Sequence, residues 1–271
     1  LIGSKMRNFI FIAPLAALAI SACATTTART DGEQALAVAM EDSGNIIPAT
    51  AEERAAIHSR DLLSQAAFWA EAYDLNPSDQ EAALELSIAL RRMGNHDRSA
   101  IIAQQALALY PEDADMLLAY GMALASSGRG ARAIEALQRS AASNSSNWQV
   151  HNTLGISLEQ AGQAPAARNA FRAALSLNPG DPSVLSNLAL SHALSGDVEV
   201  AEQMLREAMI RPGAAAAIRQ NLALVIALQG RFEEAEEMAR VDVTPEMAEA
   251  NMNYVRAMLT SQRRYDAVTA N

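Results

Sequence analysis

Five glycines, Gly94, Gly128, Gly162, Gly196 and Gly230, follow one another at intervals of 34 residues along this chain. Other series keep the same step. Ser99, Ala133, Ala167, Ala201 and Ala235 are all small. Leu86, Tyr120, Leu154, Leu188 and Leu222 are all large, and each precedes a small residue: Ser87, Gly121, Gly155, Ala189 and Ala223. Pro77, Pro111 and Pro179 close their periods, Ser145 takes the corresponding place, and Pro212 falls one residue early. A repeat of this length is one helix–turn–helix unit of a solenoid. Each series has a physical reason. Glycine takes positive φ without steric cost where the first helix ends. The small residue after the large one lets the two helices of a unit approach, and the large one fills the space between units. Proline ends the second helix, because the residue before it is pushed out of the α region.

Composition agrees with an all-α chain, since alanine and leucine dominate and aromatics make up 4 % of 271 residues. The formal net charge is −10 and Lys5 is the only lysine. An acidic chain without a basic cluster argues against nucleic acid as the main partner. In residues 148–181 the spacing of Leu154, Gly155, Leu158, Gly162, Ala167, Phe171, Ala174 and Pro179 resembles the tetratricopeptide repeat. That resemblance implies a right-handed superhelix of helix–turn–helix units.

Residues 1–22 read as a targeting segment. Lys5 and Arg7 precede an apolar run, residues 9–20, broken by Pro14 and shorter than the ~20 residues of a spanning helix. Met6 is a possible start. Ile20-Ser21-Ala22-Cys23 resembles the lipobox of bacterial lipoproteins, which implies cleavage before Cys23 and its acylation. The alternative is an ordinary signal peptide with a cysteine near its cleavage site. With alanine at position 24, the lipoprotein resemblance implies the outer membrane, facing the periplasm. Residues 23–48 read as the lipidated cysteine and a flexible tether, with a short helix at 33–40.

Residues 49–79 form a degenerate capping unit, with Arg60 where the turn glycine is expected and Trp69 at a core position of the second helix. Five repeats follow, at 80–113, 114–147, 148–181, 182–215 and 216–249. Pro245 arrives early, so the second helix of the fifth, from Phe232 to Arg240, is expected to be short. Residues 250–271 provide a capping helix, expected at 247–260, and a frayed end at which Tyr265-Asp266-Ala267 repeats the start of a second helix.

No motif of chemistry stands out, so no catalytic residue, metal site or cofactor is assigned. His58, His96, His151 and His192 do not pair at helical spacing, and no phosphate loop, dinucleotide loop or nucleophile elbow is present. Glu233, Glu234, Glu236 and Glu237 suit a solvated helix start. The tetratricopeptide resemblance implies a concave groove lined by the first helices. Ile88, Met122, Ile156, Leu190 and Leu224 stand two places beyond the large series and would point into it. Thr153, Asn187 and Asn221 stand one place before that series, where amides would hold a ligand backbone. Two readings of the stripe stay open: a groove for an amphipathic helix or extended apolar segment, or tight packing between neighbouring first helices.

A narrower likeness rests on residues 187–197, on Arg219-Gln220-Asn221-Leu222-Ala223-Leu224-Val225, and on the run from Leu228 to Glu236. It continues in Pro212-Gly213-Ala214, Ala250-Asn251 and Tyr254-Val255-Arg256-Ala257-Met258-Leu259. These segments resemble the TadD-type tetratricopeptide lipoproteins of tight-adherence (Flp) pilus assembly, over 107–259 and the lipobox. The chain departs from them at His192, where tyrosine is usual, and in the alanine-rich 214–217. The resemblance implies a non-enzymatic assembly factor, anchored by lipid, whose protein partner is the secretin or another pilus-assembly subunit. The alternative is a lipoprotein that pilots another secretin or assists outer-membrane barrel assembly. A periplasmic enzyme would need a second domain, for which the repeats leave no room.

Overall fold

A computed structural model describes residues 50–269, with side chains described for 50–260. The expected signal peptide, Cys23 and tether, including the helix at 33–40, lie outside the described residues. Among the described residues there are thirteen helices and no strand. They pair in chain order. A first pair is α1 (Ala51–Ile57) and α2 (Leu62–Leu75). Four regular pairs follow: α3 (Gln80–Arg92) with α4 (His96–Leu109), α5 (Ala114–Ser126) with α6 (Gly130–Ser143), α7 (Trp148–Gln160) with α8 (Ala164–Leu177), and α9 (Pro182–Leu194) with α10 (Val198–Met209). The last pair is α11 (Ala216–Leu228) with α12 (Phe232–Ala239), closed by the single helix α13 (Pro245–Thr269).

The glycine series ends the first helix of five successive pairs, α3 to α11, in the same way. All five residues have positive φ, from +73° at Gly162 to +93° at Gly196. At Gly94 the pattern is complete: its N–H donates to the Arg91 carbonyl, and the Asn95 N–H reaches back to Leu90. The same two bonds recur at Gly128, Gly162, Gly196 and Gly230. Carbonyls that the helix end would orphan are thereby satisfied. The five sites have nothing within 4 Å of an added Cβ, so glycine is there for its backbone conformation and not for space.

Gly121 and Gly155 are there for space. A Cβ on Gly155 would lie 2.5 Å from the Phe171 ring, and one on Gly121 would lie 2.5 Å from Leu137. Thus α7 packs on α8, and α5 on α6, at a separation that admits no methyl group. The large series bridges units: Tyr120 packs against two successive core clusters, as does Leu154.

One further series carries structure. Asp79, Asp113, Asn147 and Asp181 precede the first helices at the 34-residue step, and each side chain accepts from a backbone N–H of the first turn. These are N-caps, which satisfy donors the helix leaves unpaired. Ala215 holds the same place before α11 and makes no such bond.

The ends differ from the middle. The short α1 carries a capping box between Thr50 and Glu53. Trp69 is 1 % exposed, with Phe68 edge-on at 5.0 Å and the Arg54 guanidinium 5.5 Å from its ring centre. At the other end α12 has 8 residues where α4, α6 and α8 have 14. Helix α13 departs from the expected helix at 247–260 and turn before Tyr265. Its backbone stays helical to Thr269, across the place one step beyond Gly230, which is Arg264. Without glycine there, no left-handed residue ends the helix.

Contacts set the curvature. First helices of successive pairs touch one another, α3 with α5, α5 with α7, and onward to α13. The backbones of successive second helices stay further apart, and side chains such as Tyr73 with Gln105 and Arg206 with Glu234 span the distance. The side of the first helices is therefore the inside of the bend.

Candidate functional site

The inner side carries the apolar stripe. Ile88, Met122, Ile156 and Leu190 are half-buried, so contact between neighbouring first helices covers each in part and leaves the remainder facing outward. Leu224 is 38 % exposed. Met258 stands one further step along, on α13, and is 41 % exposed. It extends the stripe beyond the residues singled out from the sequence. The 34-residue step from Leu224 points to it, but the expected repeats end at residue 249.

The polar row beside the stripe is engaged by the protein itself. Thr153 is 4 % exposed, and its hydroxyl donates to the Gln149 carbonyl of its own helix at 2.7 Å. The Asn187 amide donates to Asn152 Oδ1 at 3.0 Å, and the Asn221 amide to Ser186 Oγ at 3.0 Å. Each bond ties one first helix to its neighbour. Asn152 and Ser186 were not singled out by the sequence analysis, because the contact offset is 35 residues and not the period itself. An asparagine side chain has a second N–H and a carbonyl oxygen, so each keeps further hydrogen-bonding capacity beyond this bond.

The stripe is most open between α11 and α13. A cleft of about 310 Å³ lies there, lined by Gln220, Asn221, Leu224, Asn251, Tyr254 and Val255. No charged side chain lines it. Tyr254 is 73 % exposed, and Leu194, on α9, is 75 % exposed. At the opposite end Arg91, one turn after Ile88, is half-buried, and burial pushes its guanidinium pKa down, with Arg92 adding repulsion. The groove can bind a chain segment through apolar side chains and amides.

Over the four regular pairs the fold is a solenoid of the tetratricopeptide-repeat kind. The family model described as Tetratricopeptide repeat matches residues 84–147 and 152–217. Among solved structures the chain is similar to PilW, described as a widely conserved type IV pilus biogenesis factor, with 19 % identity and a TM-score of 0.59 over 67 % of this chain and 86 % of that one. It is similar also to MamA from Desulfovibrio magneticus RS-1, with 19 % identity and a TM-score of 0.48 over 53 % of this chain and 81 % of that one. At this identity the likeness to PilW bears on the fold alone. No curated protein matches the sequence significantly. Tetratricopeptide-repeat proteins are generally protein-interaction scaffolds. Among the described residues no group of three or more His, Cys, Asp or Glu could hold a metal ion, and no helix is long and apolar enough to cross a membrane.

Proposed function

We propose that this tetratricopeptide-repeat protein is an outer-membrane lipoprotein, anchored through Cys23, that holds a segment of the secretin or of a companion subunit while a tight-adherence (Flp) pilus system is assembled. The observation that carries the binding part is the inner stripe, half-buried at Ile88, Met122, Ile156 and Leu190 and exposed at Leu224 and Met258. An apolar surface in a solvated groove favours a partner that covers it, since burying it gains about 25 cal/mol per Å². The anchoring part rests on the lipobox resemblance of Ile20-Ser21-Ala22-Cys23. The choice of pilus system rests on the TadD-type resemblance over 107–259. The mechanism is binding and positioning: the tether sets the reach from the membrane, and the groove holds the client segment.

Capture from detergent-solubilised outer membranes tests this reading. The tagged full-length protein is compared with Cys23→Ser and with the exposed-groove variants Leu224→Asp and Met258→Asp. The reading expects a tight-adherence secretin or companion subunit, enriched with the lipidated form and lost with either groove variant while helix content is unchanged. Undiminished capture by both folded groove variants would move the site off the inner face. Barrel-assembly components, or a secretin of another system, would replace the pilus assignment with the alternative given above.

A further inference from the structure

The outer side carries an opening walled by second helices. It lies between α4 and α6, with a volume of about 360 Å³. Its floor is apolar: Ala100 is 5 % and Leu124 1 % exposed, with the half-buried Tyr120 between them. Ile101, 53 % exposed, forms a wall. Arg129 and Arg132 stand on the α6 side.

The repeats themselves explain why the space is open here. At the place of Ala100 the following pairs carry Ile134, Arg168 and Glu202, each one 34-residue step on. Ile134 packs on the core cluster of the next pair. Arg168 donates across the gap to Ser195 Oγ at 2.7 Å. Glu202 accepts from Gln229 at 2.8 Å and from Arg231 at 2.7 Å. In each case a long side chain on the second helix reaches the next pair, for Arg168 and Glu202 at the turn that joins its two helices. Alanine is too short to do so.

Charge completes the description. Arg129 is taken by Asp97 at 2.6 Å and by Ser127 Oγ at 2.7 Å. Arg132 is exposed and makes no ion pair among the described residues. Arg98 holds the same place on α4 and is likewise exposed. The lining of the hollow thus carries two arginines against the single carboxylate of Asp97, on a chain of net charge −10. A carboxylate reaching Arg132 would find a guanidinium fork free to take it.

We infer that the cleft between α4 and α6 is a second docking site, for an acidic segment of a protein partner that sets a large apolar side chain in the hollow and a neighbouring carboxylate on Arg132. The site lies on the face opposite the groove, so a scaffold with both could hold two segments at once. It does not depend on the identity of the groove's client.

The test uses the full-length protein with isotope-labelled isoleucine and leucine methyl groups and three blocked peptides. They are acetyl-Gly-Phe-Asp-Glu-Gly-amide, the same peptide with Lys-Lys for Asp-Glu, and the same peptide with Gly for Phe. The expected result is a saturable shift of the Ile101 and Leu124 methyl signals with the first peptide alone. Ala100→Ile, which installs the residue of the next pair, should abolish it. Arg132→Glu, an exposed substitution that leaves the core untouched, should weaken binding about fivefold or more. Absence of saturable shifts up to millimolar peptide would overturn the proposal. So would equal binding of the lysine peptide, equal binding of the peptide without phenylalanine, or unchanged binding by both folded variants. Shifts confined to Leu190 and Leu224 would assign the peptide to the inner groove instead.

Discussion

Ser87 and Ser99 clasp each other across the contact between α3 and α4. The Ser87 hydroxyl donates to the Ser99 carbonyl at 3.1 Å and the Ser99 hydroxyl to the Ser87 carbonyl at 2.8 Å, with the two oxygens 3.0 Å apart. Both residues are fully buried. In the next two pairs the same two places hold Gly121 with Ala133 and Gly155 with Ala167. The α3–α4 pair thus meets through hydrogen bonds where the next two pairs meet through bare backbone and methyl groups. We expect Ser87→Ala and Ser99→Ala each to cost about 1 kcal/mol and the two costs to be nearly additive, because each hydroxyl donates to the other residue's backbone carbonyl, which alanine retains. Urea unfolding of the four proteins measures the coupling.

Two kinds of glycine should respond in opposite ways to the same neighbour. Gly162→Ala places a side chain at φ +73° in open space, at a cost of about 1–2 kcal/mol, and Gly162→Val should cost more. Gly155→Ala drives a methyl group into the Phe171 ring and should cost about 1–3 kcal/mol. Two pairs later Ala223 faces Ala239, and one pair later Ala189 shares a cluster with Leu205. A larger residue on the first helix therefore goes with a smaller one on the second. Phe171→Leu should recover part of the Gly155→Ala loss and none of the Gly162→Ala loss. Thermal melts of the double variants decide this.

The missing cap at Ala215 offers a gain. Its backbone is already extended, with φ −86° and ψ 159°, as at the capped starts. Ala215→Asp should stabilise the protein by about 0.5–2 kcal/mol through a bond to a first-turn N–H of α11. An unchanged urea midpoint would show that the preceding turn at Gly213 prevents the aspartate from reaching.

Acid should loosen the N-terminal pair first. Arg54, on α1, forms an ion pair with Asp79 and another with Glu81 at 2.6 Å. The Arg54 guanidinium holds the Asp79 carboxyl below its ordinary value, and Ser64 does the same for Asp61, the cap of α2. Carboxyls lowered by folding stabilise the native state above their unfolded pKa of about 3.9, and that contribution is lost as pH falls through the lower folded values. In a Trp148→Phe background, fluorescence reports Trp69 alone. It should shift to the red as pH drops below about 4, and Arg54→Gln should make that shift smaller. A Trp69 signal insensitive to Arg54→Gln would contradict the link.

The 34-residue step, read from Gly94 to Gly230, determined the helix–turn–helix order, because a left-handed residue and a close helix contact each admit few side chains. The apolar identity of the inner stripe was legible for the same reason. Its degree of exposure was not. Whether Ile156 is covered and Leu224 uncovered depends on how far apart successive first helices lie, which the whole stack sets. The partners of Asn187 and Asn221 were hidden as well, since each reaches a neighbouring helix one residue out of step with the period. The opening beside Ala100 is likewise a property of three dimensions. Alanine is common in this chain and says nothing alone. Only the curvature that spreads the second helices apart turns its small size into an unfilled space.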